Sequence, residues 1–469
     1  MKTLPRHLPR LLPRRGSYPK EYASLFRLGG PVFVTQLGTI VVSFMDTVMV
    51  GAYGTRELAA SAFVNSLYIV MFVMLMGFAG GVTPLAGALF GRKDNHGAGR
   101  ILRASLQLNV LLGVAFTAIM GLLYFLLDRM GQDADLLPLI CPYYLIVLAG
   151  LIPISIFSCC QQMANGVTDT QMPMWIILGG NALNIAGNYL LIFGKFGCPE
   201  MGLTGAGIST LISRLLCAVA IVWMMLSRRR YKPFREGFFD PAPCGNLRKQ
   251  TWHTSYPLMI QSGLECVLWS IGAVVSGWFG KIQIAAYQVV NIAGQVGFMT
   301  YLSFGTATSI RVANQLGEDN IEGIRLTTRA GLRINLVLAS AASLIFLLFM
   351  EPLLHVFTPD ADVVHAGMAL TVPLILYQYC DATQITFANA QRGTSVVKPL
   401  LWVALVSYVL TGVPVMLFMA KSLGLESVGV YYSFCVALLI AAVMMVMIYR
   451  RTLRSMFAQL SSSRAKSDA

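Results

Sequence analysis

Twelve apolar runs of about 20 residues recur along this chain of 469 residues and limit what it can fold into. A helix rises about 1.5 Å per residue, so a run of this length matches the hydrocarbon core of a bilayer, about 30 Å thick. We therefore predict twelve transmembrane helices, near residues 24–50, 58–86, 98–127, 136–158, 165–193, 203–227, 253–279, 284–312, 324–350, 363–388, 396–420 and 426–449.

The composition excludes a soluble globular protein. Hydrophobic residues make up 56% of the chain and charged residues only 12%, with a mean hydropathy of +0.66. A soluble domain has about 25% charged residues, so this chain could not cover a soluble surface of its own. We conclude that it is a polytopic membrane protein.

The lysines and arginines lie mainly on one side of the predicted topology. If the N-terminus is cytoplasmic, 29 of the 35 fall on that side, five fall on the other side, and Arg214 lies within a helix. The positive-inside rule then places both termini in the cytoplasm. The net charge of +14 is explained by this topology. No nucleic-acid partner is predicted, because that role requires basic residues clustered with exposed aromatic side chains.

An internal repeat divides the chain into halves. A shift of 226 residues superposes Pro31 on Pro257 and Asn65 on Asn291. Since each half has six crossings, the halves have the same orientation, as in transporters with parallel repeats. The predicted parts are a basic N-terminal segment (1–23), an N-terminal six-helix lobe (24–227), a cytoplasmic linker loop (228–252), a C-terminal six-helix lobe (253–449) and a cytoplasmic tail (450–469).

Three carboxylates, Asp46, Glu265 and Asp381, lie inside the predicted spans. An acid at the centre of a transmembrane helix costs about 2.5–3.5 kcal/mol on insertion scales. Basic residues near the ends of the predicted spans are counted with the cytoplasmic segments, which leaves Arg214 as the one Lys or Arg assigned to the interior of a span. Arg214 cannot neutralise all three acids. We therefore expect mobile partners: a proton, an alkali cation or a cationic substrate.

Polar residues form stripes on several of the predicted helices. Such stripes must face the bundle interior or a water-filled cavity. Asn and Gln also hydrogen-bond between helices as packing contacts, and for the asparagines of the fifth helix both interpretations stay open. The stripes contain Gln36 with Asp46 in the first helix; Asn181, Asn184 and Asn188 in the fifth; Gln261 with Glu265 in the seventh; Gln288, Asn291 and Gln295 in the eighth; and Tyr377 and Gln384 with Asp381 in the tenth.

Several longer motifs carry a resemblance to a known family. They are MDTVMVGAYG (45–54), SYPLMIQSGLECV (255–267), AAYQVVNIAGQVGF (285–298), SIRVANQLGE (309–318) and YQYCDATQ (377–384). Over about residues 25–450 the chain resembles the multidrug and toxin extrusion (MATE) family, and more closely its NorM-like branch. The resemblance implies an all-α membrane protein whose two six-helix lobes form a V around a central cleft.

The resemblance also implies roles for the acids. The cation site of NorM-like members lies in the C-terminal lobe, which would assign cation coupling to Glu265, Asp381 and Tyr377. In some relatives the emphasis falls on the N-terminal lobe around the first-helix acid, so Asp46 remains an alternative. We expect Gln36, Asn181, Asn184 and Asn188 to accompany Asp46, and Gln261, Gln288, Asn291, Gln295 and Gln384 to line the cleft.

These observations predict a secondary antiporter of the bacterial inner membrane. It would export lipophilic or organic cationic compounds in exchange for Na⁺ or H⁺, as a monomer among membrane lipids. We expect no enzymatic activity, no resident metal and no cofactor, and no G-x-x-x-x-G-K-[ST] loop for ATP occurs in the sequence. The alternative is a flippase of lipid-linked saccharide precursors, but its anionic substrate would require more cleft Arg or Lys than Arg214 alone.

Overall fold

The computed structural model describes residues 18–131, 133 and 135–467. Every regular element in this part of the chain is helical, which confirms the predicted all-α class. Its twelve long helices, numbered in chain order, are α1 (Tyr18–Tyr53), α2 (Thr55–Gly91), α3 (Asn95–Tyr124), α4 (Leu137–Gly166), α5 (Gln171–Phe193), α6 (Gly202–Ser227), α7 (Gly245–Gly277), α8 (Lys281–Gly317), α9 (Ile321–Phe357), α10 (Ala361–Ala369 with Thr371–Gly393), α11 (Lys398–Ser422) and α12 (Glu426–Ser467).

Length and composition identify most of these helices as membrane spans. Ten of them in the described residues are long and apolar enough to cross a bilayer, and α10, which bends by 45° at Leu370, gives an eleventh. The remaining helix, α8, has 37 residues and is also long enough. It carries the predicted polar stripe of Gln288, Asn291 and Gln295.

Several helices extend beyond their predicted spans at the end of the bundle where α1 begins and α12 ends. We call this the basic end. There α1 begins at Tyr18, α7 begins at Gly245 and α12 continues to Ser467. The predicted spans were shorter because an apolar window stops at the first charges, whereas a helix can continue into a polar environment. Residues 1–17 of the predicted basic segment lie outside the described residues.

The predicted linker loop is partly helical. It contains the helix Lys232–Phe238, which we call the linker helix, and the first turns of α7. Pro233 stands in the first turn of the linker helix, where its missing N–H costs nothing. The linker helix packs across the start of α3 at the basic end.

Two lobes, α1–α6 and α7–α12, have separate apolar cores. The C-terminal lobe has a large core that includes Tyr287, Tyr408 and Phe434. The N-terminal lobe has one core around Tyr144 and a second around Phe157, nearer the basic end. A smaller apolar cluster joins the lobes, where Leu25 of α1 packs with Phe304 of α8 and Ala330 of α9.

The lobes meet toward the basic end. Helix α1 packs against α8, and α2 packs against α7. At Gly77 of α2 a Cβ atom would lie 2.7 Å from the carbonyl oxygen of Leu258, so a larger residue would push the helices apart. Toward the opposite end, the side chains of Phe44 on α1 and Gln288 on α8 are exposed. This pattern corresponds to a cleft that is closed at the basic end and open at the other.

A polar cluster ties α1 to the C-terminal lobe at the basic end. The buried carboxylate of Glu21 accepts hydrogen bonds from Arg311 Nε at 3.2 Å and Nη2 at 3.1 Å, from Gln315 Nε2 at 3.2 Å and from Thr327 Oγ1 at 2.8 Å. We call these four residues the clasp. Because Glu21 belongs to the first helix and its partners to α8 and α9, separating the lobes here would break these bonds.

Candidate functional site

Two carboxylates of the C-terminal lobe lie within electrostatic range of each other. Glu265 lies on α7 and Asp381 on α10, and the two interact electrostatically. Asp381 is only 1% exposed, and its Oδ2 accepts a hydrogen bond from Tyr377 Oη at 3.2 Å. Glu265 is half-buried, and no hydrogen bond to its carboxylate is recorded within the described part of the chain. The pair therefore combines a fixed acid with one whose oxygens are available to a mobile partner.

Aromatic packing fixes the position of Tyr377. Its ring makes an edge-to-face contact with Trp269 of α7, with ring centroids 5.6 Å apart. Trp269 packs in turn against Phe434 of α12, at 4.3 Å. Edge-to-face pairs restrict ring rotation. The hydroxyl of Tyr377 is therefore held toward Asp381 by contacts that join α7, α10 and α12.

Amide side chains supply further oxygens in this lobe. Gln261, one turn before Glu265, and Gln384, one turn after Asp381, are both buried. Gln384 donates through Nε2 to Tyr408 Oη at 3.1 Å, while its Oε1 has no partner. The Oε1 of Gln261 is also unpartnered. Buried amide oxygens without hydrogen bonds are uncommon, and hard cations are bound through such atoms.

Arg392 adds a fixed positive charge to this site. It lies in the last turn of α10, beyond the predicted span 363–388, and its guanidinium interacts electrostatically with Glu265. Its Nε is buried without a partner, and its Nη1 lies close to Gly80, where α2 is interrupted between Ala79 and Val82. The sequence did not predict Arg392 as a partner of Glu265, because this residue falls outside the predicted span.

The N-terminal lobe has a separate polar site around Asp46. Asn188 of α5 donates through Nδ2 to Asp46 Oδ1 at 2.5 Å. The same nitrogen lies 3.4 Å from Asn184 Oδ1, and Asn184 donates to Thr210 of α6 at 3.1 Å. The structure thus brings together three of the residues assigned to this lobe: Asp46, Asn184 and Asn188.

Arg214 of α6 gives the N-terminal site a fixed positive charge. It interacts electrostatically with Asp46. Its Nη1 donates to Tyr68 Oη at 2.8 Å, and its guanidinium carbon lies 5.2 Å from the centre of the same ring. A cation over a tyrosine ring is stabilised by the negative face of the ring. Asp46 therefore has a fixed counter-charge nearby.

Two other residues assigned to the Asp46 site lie elsewhere on the cleft side. Gln36 donates through Nε2 to Met299 Sδ of α8 at 3.3 Å, so it contacts the opposite lobe. Asn181 lies beside Gly38 of α1, and its Nδ2 has no partner. No hydrogen bond between Asp46 and either residue is recorded in the described ranges.

The polar stripe of α8 is largely accessible. Gln288 and Gln295 are exposed and Asn291 is half-buried. No hydrogen bond from these three side chains is recorded among the described residues. Exposed amides on a transmembrane helix are costly against lipid, so they fit a surface that faces the open part of the cleft.

Sequence reasoning missed several residues near the acids. Tyr408 of α11 accepts a hydrogen bond from Gln384, and Tyr301 of α8 donates a hydrogen bond to Gln378 of α10 at 2.7 Å. Tyrosines inside apolar runs gave no signal, because they are also common as packing residues. Glu21 could have been found, since it is the one acid in the first 45 residues of the chain.

Comparison with known proteins agrees with this architecture. The sequence profile of the MatE family matches residues 31–190 and 257–418, one stretch in each lobe. The probable multidrug resistance protein NorM of Photorhabdus laumondii is 26% identical over 452 residues, covering 94% of this chain and 98% of that protein. The multidrug resistance protein NorM of Vibrio cholerae is 26% identical over 399 residues, covering 85% of this chain and 87% of that protein.

Solved structures share the fold. A multidrug resistance MATE family transporter of the MOP superfamily in its outward-facing conformation superposes with a TM-score of 0.85 at 18% identity, covering 93% of this chain and 97% of that one. A MOP superfamily transporter from Pyrococcus furiosus is described as having a binding pocket of reversed polarity. It superposes with a TM-score of 0.85 at 18% identity, covering 93% of this chain and 96% of that one. Because the family profile matches more than half of the chain across both lobes, the protein belongs to the MatE family.

Proposed function

We propose that the protein is a secondary multidrug antiporter that exports lipophilic or organic cationic compounds in exchange for Na⁺ or H⁺. The observation that carries this proposal is the pair of carboxylates, Glu265 and Asp381, held together in the C-terminal lobe. Two acids that interact electrostatically bind a cation more tightly than either acid alone. The names of the NorM relatives support drugs as the substrate class.

Cation and drug would compete for the same negative site. The unpaired oxygens of Glu265, Gln261 and Gln384 could surround a Na⁺, or Glu265 could take up a proton. A ligand shifts a conformational equilibrium only by its difference in affinity for the two states. If the cation and the drug favour opposite states, each turn of the cycle exchanges one for the other.

The membrane potential can supply the energy. One positive charge that moves inward across 100 mV yields about 2.3 kcal/mol, which corresponds to a gradient of about fiftyfold per cation. In the conformation described here, the cleft is closed at the basic end. The cation would enter from the open end, and the drug would leave there.

The clasp would then stabilise the outward-facing state. Its four hydrogen bonds to Glu21 join the lobes at the basic end, where the cleft must open for drug to enter from the cytoplasm. Arg392, between Glu265 and the α2 break, would repel cations from the same passage while it stays closed. Both features would limit leakage of the coupling ion.

We further propose that the protein lies in a bacterial inner membrane with the basic end in the cytoplasm, as the distribution of Lys and Arg suggests. Single cysteines in a cysteine-free background test this orientation. A cysteine in the linker helix should react only from the cytoplasm, and one near Asp360 only from outside. Reaction of both from one side would contradict the orientation.

Transport by purified protein in proteoliposomes tests the function itself. A fluorescent organic cation should move against an imposed Na⁺ or pH gradient, and each gradient is applied separately to identify the ion. Collapse of the gradient should abolish transport. Turnover of a lipid-linked saccharide without gradient-driven transport of the organic cation would favour a flippase instead and contradict the proposal.

A further inference from the structure

A lateral groove opens in the N-terminal lobe at the basic end, away from the cleft. It lies between α3 and α6, each of which packs against α4, with the linker helix across its basic end. Its cavity volume is about 110 Å³, which is less than the roughly 300–1,000 Å³ of a pocket that encloses a whole small-molecule ligand. The groove therefore has room for only a slender part of a ligand, and none of the candidate transport residues lines it.

The lining of the groove is apolar where the long helices form it. Leu102 and Leu106 line it from α3, Met163 from α4, and Val222 and Met225 from α6, while Tyr231 and Arg235 line it beside the linker helix. Methionine and leucine side chains adapt to a flexible hydrocarbon chain. Between the long helices a polar or charged ligand would lose its hydration without gaining hydrogen bonds, so these walls favour an acyl chain.

The linker helix that closes the groove is held firmly. Tyr231 donates through Oη to Asp169 Oδ2 at 2.9 Å, and burial together with this carboxylate raises the pKa of Tyr231, so its hydroxyl stays protonated. Arg230 donates to Val167 O at 3.0 Å, and Arg100 pairs with Asp240 at 3.5 Å. The groove is therefore a built feature of the fold.

The chain segment that includes the lining residues Tyr231 and Arg235 carries excess positive charge. Residues 228–249 contain seven Lys or Arg against two acids, Glu236 and Asp240, and Asp240 is already paired. Arg228, Arg229 and Lys232 are exposed, and none of them forms an ion pair within the described residues. Basic clusters where a helix leaves the bilayer attract anionic lipid headgroups.

The repeat provides equivalent helices in the C-terminal lobe, but their packing differs. There Tyr449 of α12 packs against Phe387 of α10 and donates a hydrogen bond to Thr328 Oγ1 of α9 at 2.7 Å. Helix α12 also continues to Ser467, whereas α6 ends at Ser227 and is followed by the linker helix. The surroundings of the groove therefore do not follow from duplication alone.

We propose that the lateral groove binds one acyl chain of an anionic phospholipid, whose headgroup is held by Arg228, Arg229 and Lys232. The apolar walls account for the chain, and the unpaired basic residues account for the charge of the headgroup. The proposal does not depend on which ion drives transport.

Photocrosslinking tests this proposal on the full-length protein in mixed micelles. The probes are phosphatidylglycerol and phosphatidylcholine that carry a diazirine in the same acyl chain. We expect phosphatidylglycerol to label peptides containing Leu102–Leu106 and Val222–Met225. The triple substitution R228Q/R229Q/K232Q should reduce this labelling about tenfold or more, toward the level of phosphatidylcholine. The control R450Q/R451Q, which removes exposed charges of α12 at the same end, should leave it unchanged.

A second variant tests the chain-binding part separately. Leu106→Trp fills the groove and should reduce labelling by both lipids, whereas Leu111→Trp, at an exposed position of the same helix, should not. The melting temperature of each variant shows whether it is folded, and a poorly folded Leu106→Trp is replaced by Val222→Phe. The proposal would be overturned if the two lipids labelled the protein equally and if neither the charge substitutions nor the groove-filling substitution changed that labelling. Displacement of phosphatidylglycerol by a transported organic cation would overturn it as well, since the groove would then be a substrate site.

Discussion

Tyr377 donates a hydrogen bond to Asp381, one turn further along α10, at 3.2 Å. Both of these side chains are buried, whereas Glu265 is half-buried. This bond holds one oxygen of Asp381 in a fixed direction. The second oxygen of Asp381 and both oxygens of Glu265 have no hydrogen-bond partner recorded in the described residues. A cation that enters between the acids would therefore meet an arrangement that is already partly ordered.

Removal of the Tyr377 hydroxyl should weaken cation binding without unfolding the lobe. Tyr377→Phe keeps the ring contact with Trp269 and removes the hydrogen bond to Asp381. A bond of this kind contributes about 1 kcal/mol, so the apparent affinity for the driving ion should fall about fivefold. The measurement is the ion concentration that gives half-maximal efflux from proteoliposomes. The control is Tyr379→Phe on the same helix as Tyr377. It removes an exposed hydrogen bond to Ser340 of α9 and should leave this value unchanged.

Neutralising Glu265 should uncouple the transporter. Glu265→Gln keeps the shape of the side chain and removes its charge, so gradient-driven efflux should fall to background while the protein remains inserted and monodisperse. The matched control is Glu351→Gln, an exposed acid in the same lobe, which should transport at the wild-type rate. Coupled transport that survives in Glu265→Gln would show that the cation binds elsewhere.

Weakening the clasp should shift the protein toward the state that is open at the basic end. Glu21→Gln removes the charge that Arg311 pairs with, and hydrogen bonds to charged groups contribute about 1.5–3 kcal/mol each. A loss of about 1.4 kcal/mol changes the equilibrium tenfold. Distances between spin labels on α2 and α7 at the basic end report the shift. Glu236→Gln, an exposed acid of the linker helix, is the control, and an unchanged distance distribution in Glu21→Gln would refute a gating role.

Asp46 should matter for substrate and stability more than for coupling. Arg214 provides it with a fixed counter-charge, so it has less need of a mobile cation than Glu265. In Asp46→Asn we expect a lower melting temperature, because Asn188 loses a charged hydrogen-bond acceptor and Arg214 loses a nearby counter-charge. We expect the dependence of efflux on the driving ion to be unchanged. Asp128→Asn, an exposed acid of the same lobe, should change neither. Loss of ion dependence in Asp46→Asn would assign coupling to the N-terminal lobe.

The sequence predicts the helices well because membrane spans have one dominant signal. The predicted apolar runs overlap all twelve long helices of the described residues, of which ten, or eleven with the bent α10, are apolar enough to cross a bilayer. The repeat predicts the division into two lobes. The helix ends were less accurate, as at Gly245 of α7 and Ser467 of α12, because hydropathy changes at the membrane surface while backbone hydrogen bonding continues.

The candidate site was less predictable than the fold. Periodicity placed Asp381 and Tyr377 on one face of α10, and their hydrogen bond follows from that spacing. It could not place Gln36 against Met299 of the other lobe, nor show that Arg392 lies near Glu265. These relationships join helices that are distant in sequence, and no local pattern encodes them.

The most direct test of a shared cation site is a double-mutant cycle on Glu265 and Asp381. The measurement is the affinity of the driving ion, read from its competition with a bound fluorescent drug, for wild type, Glu265→Gln, Asp381→Asn and the double variant. Residues that act as a unit are strongly non-additive. A shared site predicts that each single substitution removes most of the competition and that the second adds little. Fully additive losses would mean that the two carboxylates bind separate ions, and would contradict the shared site.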